Sequence, residues 1–77
     1  MNAAQQEAIR LLQENPKRDI YEGSAPGGKV GSGRYYVTYS PNSRLELLQN
    51  DVDALVASGT IVLRYKDVPG FYVLSKR

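Results

Sequence analysis

The run Gly23-Ser24-Ala25-Pro26-Gly27-Gly28-Lys29-Val30 spells G-x-x-x-x-G-K, the spacing with which a glycine-rich loop cradles phosphates on its backbone amides while a lysine reaches the terminal phosphates. Val30 stands where a serine or threonine hydroxyl would ligate magnesium, so the metal anchor is missing. A phosphate loop also feeds into the start of a helix, whose free amides bind the anion. Here the chain runs on through Gly31-Ser32-Gly33 into a strand pattern, so nucleotide hydrolysis is not expected. Asp51 and Asp53 are the other pair that could suggest acid–base work. Two residues apart on a helix, they point in different directions and share no site. With no histidine and no cysteine, the usual general base, zinc ligands and thiol nucleophile are absent. We therefore expect no catalytic residue, no metal and no cofactor: a binding module, not an enzyme.

Length and charge narrow the partner less sharply. The 77 residues suit one small domain, near the size at which folding buries little more than half of the surface the unfolded chain exposes. Ten basic and eight acidic side chains leave a net charge of +2, too small an excess to announce nucleic acid. Six tyrosines against one phenylalanine and no tryptophan favour half-buried strands and binding faces, because tyrosine couples a packing ring to a hydroxyl that wants a polar partner. Residues 1–15 mix Gln, Glu and Arg among the apolar side chains, unlike a signal peptide, and no apolar run reaches a membrane span. The expectation is a cytoplasmic protein with no membrane partner.

The elements follow from periodicity and punctuation. Asn2 can cap a helix over residues 3–14, with Ala4, Ala8, Ile9, Leu11 and Leu12 at helical spacing and Asn15-Pro16 as its stop. Residues 17–22 are too short and mixed to assign. Residues 23–33, with five glycines and one proline, read as a flexible loop. Tyr35, Val37 and Tyr39 alternate with Tyr36 and Thr38, which predicts a strand over 34–39. After Ser40-Pro41-Asn42, the tetrad Ser43-Arg44-Leu45-Glu46 matches a capping box and predicts a helix over 44–57. Its core stripe would be Leu45, Leu48, Val52, Leu55 and Val56, closed by Gly59. Strands over 60–65 and 71–75, joined through Pro69-Gly70, complete an α+β fold of order α-β-α-β-β, a three-stranded antiparallel sheet packed on two helices.

The run Val52-Asp53-Ala54-Leu55-Val56-Ala57-Ser58-Gly59-Thr60-Ile61, followed by Gly70-Phe71-Tyr72-Val73-Leu74, resembles the end of winged-helix domains, where a recognition helix closes on glycine and leads into the wing. The resemblance covers residues 42–75 and implies a winged-helix-like C-terminal half that contacts DNA. That family orders its elements as helix, strand, two helices and two wing strands. Residues 40–59 of this chain have room for one helix, or for two very short ones broken near Asn50-Asp51.

Charge placement separates two functions. On the expected helix the outward positions are Glu46, Leu47, Asn50, Asp53, Ala54 and Ala57, with Asp51 on the flank. Carboxylates repel phosphate, and a groove-reading helix needs Lys, Arg, Asn or Gln on that side, so Leu47 and Ala54 read instead as an apolar ridge for another protein. The protein-binding candidates are Leu47, Asn50, Asp51 and Ala54, with Tyr35 and Tyr36 on the strand. The favoured reading is a protein-interaction regulator or inhibitor, such as a phage-type protein that occludes a host factor. The alternative is a DNA-binding regulator that grips phosphate through Lys29, Arg34, Arg64 and Lys66, with Tyr35 or Tyr36 stacking on bases. Exposed hairpin edges and apolar outer positions also suit a homodimer.

Overall fold

The computed structural model describes residues 1–23 and 33–75. The phosphate-loop pattern beyond Gly23, the loop expected over 23–33 apart from its two end residues, Lys29 and the C-terminal Lys76-Arg77 lie outside the described residues. The chain runs α1 (Ala3–Glu14), β1 (Ile20–Glu22), β2 (Arg34–Ser40), β3 (Ser43–Leu48), α2 (Gln49–Ala57), β4 (Ile61–Leu63) and β5 (Phe71–Leu74). Among the described residues all pairings are antiparallel, in one five-stranded sheet of order β3-β2-β1-β5-β4. The α+β class agrees with the sequence reading, but the sheet has five strands where three were expected.

α1 starts and stops where expected. The Asn2 side chain accepts from the Gln5 amide at 2.8 Å, and the Gln5 side chain accepts from the Asn2 amide at 2.8 Å, so two otherwise unpaired backbone donors are satisfied reciprocally. Its inward stripe of Ala8, Leu11 and Leu12 enters the core.

The largest departure is at residues 43–48. The expected helix over 44–57 is half strand: β3 returns from a turn at Pro41-Asn42 and pairs along β2, with Tyr35 opposite Leu47, Tyr36 opposite Glu46 and Val37 opposite Leu45. The same letters that match a capping box also alternate, Leu45 and Leu47 against Arg44, Glu46 and Leu48. The ladder wins because it joins the backbone of β3 to β2 and buries Leu47 completely. Leu47 is therefore a core residue and no part of an apolar ridge on a helix. Leu48 and Val56, expected in the core stripe, are exposed, while Val52 and Leu55 are buried as expected. Residues 40–59 thus hold a strand and one helix, which is neither of the two arrangements that the spacing allowed.

α2 begins at Gln49, and its start depends on Asp51. The Leu48 amide donates to Asp51 Oδ2 at 3.2 Å, Asn2 Nδ2 donates to Asp51 Oδ1 at 2.7 Å, and Gln5 Nε2 donates to the Asp51 carbonyl at 3.1 Å. One acidic residue in the first turn of α2 therefore joins the N-termini of both helices. Gly59, at φ +77, closes α2 as expected.

β1, unassigned from sequence, is the central strand, with Tyr21 opposite both Tyr36 of β2 and Phe71 of β5. β4 and β5 are shorter than the expected strands over 60–65 and 71–75, and Gly70 at φ +98 supplies the left-handed turn before β5. Both helices pack on one face of the sheet around Ile20, Tyr35, Val37, Leu47, Val52, Leu55 and Ile61.

Replacing Leu47 with alanine should lower the unfolding free energy by about 2–5 kcal/mol, the usual cost of emptying a fully buried leucine site. Urea denaturation measures it, and a change under about 0.5 kcal/mol would return Leu47 to the surface.

Candidate functional site: the open face of the sheet

Because the helices cover one face, alternation sends the other side chain of each strand pair to the opposite face. Ile20, Tyr35, Val37, Leu45 and Leu47 point inward, which leaves Tyr21, Tyr36, Arg44 and Glu46 outward, joined by Phe71, Val62 and Val73 from the second hairpin. The register lines up Glu46, Tyr36, Tyr21 and Phe71 as direct neighbours across four strands. The open face therefore carries an aromatic row.

The row is organised by contact. The Tyr21 and Tyr36 rings lie 5.9 Å apart, and the Arg44 guanidinium carbon sits 3.9 Å from the centre of the Tyr36 ring, within cation–π range. The neighbouring Tyr21 hydroxyl, before any other cause, holds the Arg44 guanidinium above its ordinary pKa. The Tyr36 hydroxyl donates to Glu46 Oε2 at 3.4 Å, and Arg34 lies 3.9 Å from the same oxygen. At the other end, Tyr65 meets Phe71 edge-on at 5.7 Å, and Arg64 lies 5.4 Å from the Tyr65 ring while pairing with Asp19 at 3.0 Å. This is a surface of rings and guanidinium groups.

The structure divides the residues picked from sequence. Of the protein-binding set, Tyr36 lies on the open face. Tyr35 is buried and donates its hydroxyl to Gln49 Oε1 at 3.2 Å, so it cannot stack on a ligand. Leu47 is buried, and Asp51 is occupied by the helix N-termini. Asn50 and Ala54 are exposed on α2, on the helical side of the molecule, away from Tyr36. Of the basic set, Arg34 is on the open face, Arg64 reaches Asp19, and Lys66 is exposed in the turn between β4 and β5. Tyr21, Phe71 and Arg44 were not picked. The alternation of Leu45 and Leu47 with Arg44 and Glu46 was the available signal for Arg44, whereas nothing in residues 17–22 marked Tyr21 as part of a central strand.

Two hollows flank this surface. A cleft of about 810 Å³ runs between the end of α1, at Leu12, Gln13 and Pro16, and Val62, Arg64 and Val73 of the hairpin. A smaller pocket of about 300 Å³ lies at the β2–β3 turn, against Tyr21, Thr38 and Arg44. Among the described residues, no group of three or more His, Cys, Asp or Glu side chains converges on a point, and no helix is long and apolar enough to cross a membrane.

Burial pushes the Tyr35 phenol above the usual tyrosine range, against an opposing effect of Gln49. As pH rises, the unfolded chain loses this proton first, so the contribution of Tyr35 to stability is complete below a pH of about 10 and is lost as pH climbs through its folded-state value. Urea midpoints measured across that range should fall more steeply for the natural protein than for Tyr35→Phe. Equal slopes would show that Tyr35 ionises as freely as an exposed tyrosine.

No family model, no curated protein and no solved structure matches the chain.

Proposed function

We propose that this chain is a non-enzymatic binding module, a small regulator or inhibitor, that docks a protein partner on the open face of its sheet. The observation that carries the reading is the row Tyr36, Tyr21 and Phe71 with Arg44 stacked on Tyr36. Tyrosine and arginine are among the side chains most enriched at the energetic centres of protein interfaces, and here they form one patch beside Val62 and Val73. Fixed rings lose little conformational entropy on binding. Glu46, bonded to Tyr36 and near Arg34, keeps the centre of the patch from becoming a uniformly positive track.

A DNA-binding regulator is the second reading, supported by the order of α2 followed by the β4–β5 hairpin, which keeps the winged-helix arrangement of helix and wing. α2 itself has no lysine or arginine and exposes Asn50, Asp53 and Ala54, so it is a poor groove reader. Nucleic acid would have to use Arg34, Arg64 and Lys66 with the rings of the open face, as in single-strand binding by stacking.

Capture of a partner by immobilised protein should weaken roughly thirtyfold or more, about 2 kcal/mol, in Phe71→Ala and survive Ala54→Glu on the helical side. Fluorescence anisotropy with labelled duplex and single-stranded DNA at two salt concentrations is the counter-test. Micromolar binding that falls steeply with salt, and falls further in Arg64→Ala or Lys66→Ala, would replace the protein reading with the nucleic-acid one.

A further inference from the structure

The pocket at the β2–β3 turn has a donor set that the aromatic row does not explain. Its lining side chains include the hydroxyls of Tyr21, Thr38, Ser40 and Ser43, the Asn42 amide and the Arg44 guanidinium, with no carboxylate. The hydroxyls are brought together by the hairpin: Ser40 and Ser43 are partners across the turn, their Oγ atoms 3.2 Å apart, and the Asn42 backbone N–H donates to Ser40 Oγ at 3.4 Å. Thr38 lies opposite Arg44 on the same ladder.

Arg44 differs from the other arginines that the structure describes. Arg10, Arg18, Arg34 and Arg64 each lie within ion-pair distance of a carboxylate, and among the described residues Arg44 does not. Its guanidinium nevertheless lies against the protein, its carbon 3.9 Å from the centre of the Tyr36 ring, in the pocket that Tyr21 also lines. A guanidinium has five N–H donors in a planar fork, and this one spends few of them within the protein. A guanidinium stacked on a ring and outside ion-pair distance of any described carboxylate, in a pocket edged by hydroxyls and an amide, is complementary to a tetrahedral oxyanion with several acceptor oxygens.

We propose that this pocket binds the phosphoryl group of a phosphorylated side chain on the protein partner. The inference rests on the open-face reading above and assigns to it the chemistry of one contact. A single phosphoryl group needs one guanidinium and a few neutral donors, which the turn supplies. A nucleic-acid strand brings further phosphates along the same face, where the next outward residue of β3 is Glu46, whose carboxylate repels them.

The test is a titration followed by 1H–15N correlation spectra, using inorganic phosphate, a short glycine peptide with one central phosphoserine, the same peptide unphosphorylated, and a single-stranded oligonucleotide. Expected are saturable shifts at residues 38–44 with phosphate and the phosphopeptide. The unphosphorylated peptide should give none, and the oligonucleotide should bind at least tenfold more weakly than the phosphopeptide. Arg44→Ala should abolish the shifts while Arg34→Ala keeps them. Because the second phosphate ionisation lies near pH 6, affinity should rise as pH passes upward through that value. Absence of saturable shifts, equal binding by Arg44→Ala, or tighter binding of the oligonucleotide would each overturn the proposal. The two readings fail separately. A partner captured through Phe71 whose capture survives Arg44→Ala and phosphatase treatment keeps the open face and overturns the pocket. Phosphopeptide binding with no loss of partner capture in Phe71→Ala keeps the pocket and overturns the open face.

Discussion

Leu47 packs opposite Tyr35 on the β2–β3 ladder, and the rest of the molecule is arranged around that register. A strand has a side-chain period of two, so sliding β3 by one residue would bring Arg44 and Glu46 into the core and put Leu45 and Leu47 in water. With two charges to desolvate, that alternative is closed. The same register that buries Leu47 sets Arg44 over Tyr36 and Glu46 beside the Tyr36 hydroxyl. Core and candidate recognition surface are thus two sides of one choice, since every inward residue of β3 commits its neighbour to the open face.

The polar contacts hold the covering layer to this sheet. Asp51 takes the Leu48 amide at the point where β3 becomes α2, and its other oxygen takes the Asn2 side chain, so the starts of both helices are fixed to the end of β3. Gln49 accepts the hydroxyl of buried Tyr35, a bond that gives the ring's polar end a partner at the edge of the core. Arg18 does similar work at the far end of α1, donating to the Leu11 and Tyr39 carbonyls and so fastening the helix C-terminus to the end of β2. Among the described residues, both helices lie on one face of the five-stranded sheet. The face that the described residues leave open is where the rings and guanidinium groups gather.

Local signals made part of this legible. α1 could be read from Asn2, its apolar spacing and Asn15-Pro16, and β2 from the alternation of its tyrosines. Gly59 marked the end of α2, and Pro69-Gly70 the turn before β5. What was hidden depends on partners distant in sequence. Ile20–Glu22 is only three residues long and has no strand signature of its own. It becomes central because β2 and β5 flank it, which also conceals Tyr21 from a linear reading. At Ser43-Arg44-Leu45-Glu46 the local helix-start pattern was sound, but the pairing of residues 43–48 with β2 outweighed it. That single reversal moved Leu47 from surface to core and Arg44 from a helix to the open face.

The β2–β3 register can be observed without perturbing the chain, by nuclear Overhauser contacts in a uniformly labelled sample. The Gly23 amide donates to the Arg34 carbonyl, which turns the hydrogen-bonding edges of Arg34 and Tyr36 toward β1, so that Tyr36 and Glu46 form a non-hydrogen-bonded pair on the β2–β3 side, with close α-protons. The account predicts strong α-proton contacts between Tyr36 and Glu46 and between Thr38 and Arg44. Contacts from the Leu45 α-proton to the Leu48 amide, the mark of a helix through this segment, with the cross-strand contacts absent, would contradict it.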